Sequence, residues 1–142
     1  MYEYRVESVD RVVDGDTVDV TLDLGFGIFK KERVRIAGID TPEKRTLNLK
    51  EKRLGRDATE YTEKWFSEGE IIIRTEKEGK YGRMIGWCYK EEECFNHLIV
   101  EDGYAFVYDG GTKIDMNDPD TLLTLLNRRG YTDWEDYTEA NS

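Results

Sequence analysis

From Thr17 to Leu24 apolar and polar residues alternate: Val18, Val20, Leu22 and Leu24 against Asp19, Thr21 and Asp23. A period of two predicts a strand with one buried and one wet face. Before it, Val9, Val12 and Val13 lead into Asp14-Gly15-Asp16-Thr17, a cluster of turn formers. After it, Gly25-Phe26-Gly27 breaks the run, and Lys30-Lys31-Glu32 leads into a second strand-like stretch. There Arg33, Arg35, Ala37 and Ile39 share one parity and Val34 and Ile36 the other. The two strands are expected to form a hairpin with a long, glycine-softened connection. That pairing would bring Asp16, at the start of the first strand, alongside Asp40, at the end of the second. Pro42 ends the second run, because it lacks an N–H and pushes Thr41 out of the α region; the resulting turn would hold Asp40 and Glu43 close together.

Downstream, Ala58, Tyr61, Thr62, Trp65 and Phe66 fall at helical spacing, with Gly69 where a helix would stop. Ile71-Ile72-Ile73 reads as a buried strand, joined by a polar turn around Lys77 to Lys80 to another strand, opened by Tyr81-Gly82-Arg83, that runs through Met84, Ile85 and Trp87 to Tyr89. A short helix over Cys94 to Glu101 buries Phe95, Leu98 and Ile99 and leaves His97 at the surface, and Tyr104 to Tyr108 reads as a last strand. Asp118-Pro119 starts a helix by capping, Leu122, Leu123, Leu125 and Leu126 give it an apolar side, and Gly130 stops it. About five strands with helices inserted late and at the end predict a small barrel closed by helices.

Composition narrows the classes. The 142 residues, 38% hydrophobic, fit one domain with one modest core over 1–142. Two cysteines, Cys88 and Cys94, and one histidine are too few for a disulfide framework or a closed zinc site, so both thiols read as small core hydrophobes. No apolar run approaches a membrane span and no signal peptide is visible at the start, so a cytoplasmic protein with no membrane partner is expected, although the same chain fits a secreted mature form. A net charge of −10 argues against binding nucleic acid by bulk attraction. The charge is uneven, however. Lys44, Arg45, Lys50, Lys52, Arg53 and Arg56 follow Glu43 directly with only Glu51 among them, whereas Asp133, Glu135, Asp136 and Glu139 gather near the C-terminus. The basic run reads either as a loop bordering a cleft or as a solvated loop.

Asp16, Arg35, Asp40, Thr41, Glu43 and Arg83 together suggest chemistry. Two Asp carboxylates and a backbone carbonyl are hard oxygen donors that suit Ca²⁺ or Mg²⁺. Glu43 can accept a proton from a water, and two arginine forks can clamp a phosphate and meet the charge that builds on it. The same pieces resemble the thermonuclease, or staphylococcal nuclease-like, family. The resemblance rests on Asp14-Gly15-Asp16-Thr17, Arg35 with Asp40-Thr41-Pro42-Glu43, Gly55 to Ala58, Lys80-Tyr81-Gly82-Arg83, Asn96 and Gly103-Tyr104-Ala105 in that order, from about residue 6 to 108. It implies an α+β, β-rich protein: a five-stranded OB-fold barrel with three α-helices. It also implies Ca²⁺ held by Asp16, Asp40 and the Thr41 carbonyl, Arg35, Glu43 and Arg83 as catalytic groups, and Lys80, Tyr81 and Tyr108 on the substrate side. The reaction implied is endonucleolytic hydrolysis of DNA or RNA, here by a monomer on a single strand, to 3′-phosphate and 5′-hydroxyl ends.

The chain departs from the family's prototype in three places. The Leu24 to Glu32 connection is longer. Tyr108 alone stands where the prototype has two nucleotide-contacting tyrosines, and it reads equally as a barrel-packing residue. The acidic segment 118–142 does not match, and its Tyr131 to Glu139 part reads as a partner-facing surface or a solvated tail. The same residues also admit a non-catalytic nucleic-acid-binding module, or a protein-interaction domain on a nuclease-like OB-fold.

Overall fold

The computed structural model describes residues 1–76 and 84–142. Lys80, Tyr81 and Arg83, the turn around Lys77 to Lys80, and the Tyr81-Gly82-Arg83 strand opening therefore lie outside the described residues. A long first strand, β1 (Tyr2–Asp14), turns back at Gly15-Asp16 into β2 (Thr17–Asp23), which pairs in turn with β3 (Phe29–Ile36). The register of β1 against β2 shifts three times. Such bulges bend a strand, and here β1 also pairs at its first residues with β5 (Ile72–Thr75). Antiparallel β6 (Met84–Lys90) follows β5, and its parallel pairing with β3, Val34 to Met84 and Ile36 to Gly86, closes a five-stranded barrel. At the closure a Cβ on Gly86 would stand 2.6 Å from Ile73 Cγ2, so only glycine lets the strands meet over the core. Short β7 (Glu93–Cys94) extends β6, and a separate pair joins β4 (Ile39–Asp40) to β8 (Phe106–Val107).

The barrel interior follows the predicted alternation. Val18, Val20 and Leu22 meet Val34, Ile36, Ile73 and Cys88, and the barrel is capped by Phe66, Phe95 and Ile99. Leu24 is an exception: it lies past the end of β2 and is exposed. Cys94 is only half-buried, and His97 is exposed, edge-on to Trp87.

The helices are α1 (Leu49–Phe66), α2 (Phe95–Glu101), α3 (Pro119–Arg128) and α4 (Trp134–Ala140). Two differ from expectation. First, α1 begins well before Ala58: the Asn48 side chain accepts from the backbone N–H groups of Lys50 and Glu51, and the charged residues beyond it are good helix formers. The basic run is therefore mostly helix, not loop. Lys50 lies over the Trp134 ring and Arg53 over the Tyr137 ring, so two of its cations face the C-terminal segment. Second, that segment is packed structure and adds a fourth helix. Asp133 caps α4 through the Asp136 N–H, and Tyr137, 1% exposed, joins Leu54, Met116, Leu122 and Leu126 in a second core. Among the described residues no helix is long and apolar enough to cross a membrane.

One buried side chain ties barrel and helices together. Asn96 on α2 donates to the Ala37 carbonyl at 2.8 Å and the Gly86 carbonyl at 3.2 Å, and accepts from the Cys88 N–H at 3.0 Å. Replacing it by alanine removes the side-chain partner of the Cys88 N–H and the Ala37 carbonyl, each at a cost of about 1–3 kcal/mol, while the Gly86 carbonyl keeps the Ala37 N–H. Asn96→Ala should lose at least ~2 kcal/mol in urea unfolding, whereas surface His97→Ala should change stability by less than ~0.5 kcal/mol; equal losses would show that Asn96 is not the tie.

Candidate active site

The site is built at the barrel end where β2 starts and β3 finishes. Thr17 pairs with Arg35, and the Ile36 N–H donates to the Asp16 carbonyl at 2.8 Å, so the sheet register places Asp16 beside Arg35. The strand does not continue to Ile39, as its parity suggested. It breaks at Ala37-Gly38, with Gly38 at φ +73°, and this turn lets Ile39 bury its side chain while Asp40 pairs with Phe106. The Arg35 guanidinium spans the turn, donating to Ile36 O at 3.0 Å and to Ile39 O at 2.9 Å, with Nη1 3.5 Å from Asp16 Oδ2. The fork is thus held in place by backbone carbonyls and keeps 30% of its side chain exposed.

Helix α1 holds the other pieces. The Thr62 hydroxyl donates to the Gly15 carbonyl at 2.7 Å, and a Cβ on Gly15 would lie 2.8 Å from Ala58 Cβ, so the Asp14–Thr17 turn sits directly on the helix. The loop after Pro42 docks in the same way. Buried Glu51 accepts from the Glu43 N–H at 3.0 Å, and a Cβ on Gly55 would stand 2.5 Å from Glu43 C and Lys44 N. Thr41, 3% exposed, is buried between these contacts, while the Glu43 side chain is exposed.

The acids share one electrostatic environment. Asp40 is pushed above the ordinary carboxylate range by burial and by the Asp16 charge, with Arg35 and Lys113 pulling the other way. Glu43 is raised by partial burial and by Asp14, Asp16 and Glu51, again opposed by Lys113. Asp16 and Asp40, close enough for the Asp16 charge to raise Asp40, stand beside a backbone carbonyl and match the donor chemistry of a hard divalent cation. Among the described residues no three His, Cys, Asp or Glu side chains converge as a metal cluster, so a cation here would draw on two carboxylates, backbone oxygen and water.

Of the predicted residues, the structure gathers Asp16, Arg35, Asp40, Thr41 and Glu43. Tyr108 lies beside the same turn: its N–H donates to Gly38 O at 2.8 Å, and its hydroxyl donates to Gly111 O at 3.0 Å in its own loop, outside the barrel core. Lys44 reaches toward Asp14, 3.9 Å away. Two charged residues were not read from the sequence. Lys113 acts on both Asp40 and Glu43 from a distant loop, and no spacing signals it; Glu51 looked like one acid in a basic run, and only the helix register shows that it turns inward. A groove of about 880 Å³ lies elsewhere, lined by Tyr61, Trp65, Tyr104 and Arg129 between α1, α2 and the C-terminal helices.

These features define a class: an α+β, OB-like barrel with two acids and an arginine at one open end. Residues 33–127 match the family described as Staphylococcal nuclease homologue, and the chain belongs to that family. It is similar to a thermonuclease of Staphylococcus intermedius, 32% identical over 99 residues, which is 68% of this chain and 56% of that protein. It is also similar to two Bacillus subtilis (strain 168) proteins. One is endonuclease YncB, 29% identical over 75% of this chain and 51% of that protein; the other is the SPbeta prophage-derived endonuclease YokF, 30% identical over 87% and 45%. The chain thus spans about half the length of these curated relatives.

The contact at Gly55 yields a test of how the Glu43 loop is held. Gly→Ala inside a helix normally gains about 1 kcal/mol of propensity, but overpacking against backbone costs about 1–3 kcal/mol. Gly55→Ala should therefore be less stable than wild type in urea unfolding, and a more stable variant would show that the loop does not rest on the helix.

Proposed function

We propose that this protein is a Ca²⁺-dependent nuclease that hydrolyses phosphodiester bonds of single-stranded DNA or RNA to 3′-phosphate and 5′-hydroxyl ends. The observation that carries the reading is the meeting of Asp16, Arg35, Asp40 and Glu43, which come from separate segments, at one solvent-reachable barrel end. Membership of the family and the nuclease names of the similar proteins support it.

In this reading Asp16, Asp40 and the Thr41 carbonyl hold the cation, which when bound supplies positive charge beside the scissile phosphate. Arg35 grips a phosphate oxygen with its preset fork and meets the negative charge that grows as phosphorus becomes five-coordinate. Glu43, next to these acids and reachable by solvent, is suited to accept a proton from the attacking water. The same reading gives Arg83 the role of a second phosphate fork and gives Lys80, Tyr81 and Tyr108 the role of substrate contacts. With −10 net charge, and with Lys50 and Arg53 engaged by aromatic rings, substrate affinity comes from local contacts and is modest at physiological salt. A non-catalytic binding module would need neither a base nor paired acids.

Digestion of a labelled single strand with and without Ca²⁺ tests the reading. Arg35→Ala should lose about 10²- to 10³-fold in kcat with little change in KM, and Glu43→Gln about 10²- to 10⁴-fold. Folded wild type that leaves the strand intact with Ca²⁺ present would refute it.

The acid pair makes a second, non-kinetic prediction. Since the folded-state pKa of Asp40 lies above its unfolded value of about 3.9, ionising Asp40 costs metal-free stability as pH rises through the folded value. Asp40→Asn should thus be more stable than wild type at pH 7 without metal, and this advantage should vanish near pH 3. Calorimetry should show the same substitution weakening Ca²⁺ binding. Equal Ca²⁺ affinity in the two proteins would move the metal elsewhere.

A further inference from the structure

The hairpin that carries Arg35 ends, at its far side, in a feature the site does not use. Leu22 and Lys30 are the last pair of inward parity, and beyond them the chain leaves the core. There Phe26 is fully exposed, and Leu24, Ile28 and Phe29 are also exposed. The tip is nevertheless ordered: the Leu24 N–H donates to Ile28 O at 2.8 Å and the Ile28 N–H to Gly25 O at 2.9 Å. Phe26 takes φ +56° between Gly25 at +82° and Gly27 at +74°, a conformation that residues with a side chain rarely adopt. Neither the exposed apolar surface nor the left-handed phenylalanine stabilises the fold.

The outward row of β3 links this tip to the site. Phe29, Lys31, Arg33 and Arg35 share the solvent parity and pair with Asp23, Thr21, Asp19 and Thr17 on β2. The row is cationic from Arg35 to Lys31 and then aromatic, in a chain that is otherwise strongly acidic. Both neighbouring acids are occupied. Asp19 is gripped by Arg33 at 2.8 and 3.1 Å, and Asp23 accepts from Arg5 at 2.9 Å and from the Gly25 N–H. Lys31 pairs with Thr21, whose hydroxyl donates to Asp10 at 2.8 Å, so a third carboxylate lies near Lys31 without an ion pair to it, and Arg33 remains 62% exposed despite its partner. Six residues of strand separate Arg35 from Phe29, roughly 20 Å.

We propose that the β2–β3 tip is a second docking point for the substrate strand: Phe26 and Phe29 stack on bases, Lys31 and Arg33 meet phosphates, and the bond to be cut lies at Arg35. The proposal takes its occupant from the nuclease reading. Stacking is sequence-tolerant, because every base offers a π face, and a cationic track beside aromatic rings is how single strands are held without sequence preference. The hairpin would then supply, over a few residues, the affinity that the chain's overall charge withholds.

The test compares an oligothymidylate of about 16 nucleotides, the upper OB-fold site size, with a trinucleotide too short to reach the tip. Phe26→Ser combined with Phe29→Ser should raise KM for the long strand at least about tenfold, since a stacked base contributes roughly 5- to 100-fold, and should leave kcat and the trinucleotide KM unchanged. Lys31→Ala should flatten the slope of log KM against log salt by about 0.7 for the long strand alone. Fluorescence anisotropy with EDTA present reads the same length dependence without cleavage. If wild type fails to cut but shows it, and the double variant loses it, the docking point stands and the catalytic reading falls. An unchanged long-strand KM and anisotropy in the double variant overturns the proposal. So does a wild-type dimer, seen by sedimentation, that the double variant turns into monomer, because the tip would then join copies of this chain.

Discussion

The contact on which the rest depends is the close approach of α1 to two backbone segments that carry the acids. At Gly15 the Asp14–Thr17 turn touches Ala58, and at Gly55 the Glu43–Lys44 peptide lies where a side chain would otherwise be. Neither approach tolerates a Cβ without displacement. Each is fastened by one hydrogen bond to a helix side chain: the Thr62 hydroxyl donates to the Gly15 carbonyl, and the Glu51 carboxylate accepts from the Glu43 N–H. Because one rigid helix fixes both, Asp16 and Glu43 keep a set separation although they are 27 positions apart in sequence. The barrel supplies the third anchor, as β3 ends beside Asp16 and hands the chain through the Ala37-Gly38 turn to Asp40.

The barrel end is therefore specified from several directions at once. Asn96 ties α2 to both sides of that turn's support, and Arg35 bridges it with two hydrogen bonds to carbonyls. An arginine restrained in this way loses little freedom on meeting an anion. Asp40, part-buried and facing the Asp16 charge, is raised, so its ionisation has a cost that nearby positive charge offsets.

The C-terminal segment stabilises the same helix from behind. Leu54 on α1 is fully buried against Met116, Leu122, Leu126 and Tyr137, and Asp57 on α1 accepts from Arg129 at 2.9 Å and from the Tyr137 hydroxyl. Asp133 caps α4 and the Asp136 carboxylate accepts from the Thr132 N–H, so the acidic part is a helix and not a loose tail. Burial of a leucine such as Leu54 is typically worth about 2–5 kcal/mol against alanine, so this packing bears on the platform that orients the acids.

Local pattern carried much of this protein into view. The alternation of Val18, Val20 and Leu22, the turn at Asp14-Gly15-Asp16-Thr17, the block at Pro42 and the capped start at Asp118-Pro119 are set by parity, donor loss and side-chain capping, which act over a few residues. The hairpin itself was legible for the same reason, although it was expected to set Asp16 alongside Asp40, whereas the strand ends earlier and its register sets Asp16 beside Arg35. What the sequence hid depends on distant partners. The Arg33 run reads as one strand to Ile39, but burial of Ile39 and the Asp40 pairing with Phe106 require the break at Gly38. The Lys44 to Arg56 charges read as a loop because helix propensity is weak beside a charge pattern, and only the Asn48 cap and Leu54's place in a second core make that stretch a helix. Lys113 and Glu51 join the site through tertiary packing alone, since electrostatic influence follows distance in space and leaves no periodic trace along the chain.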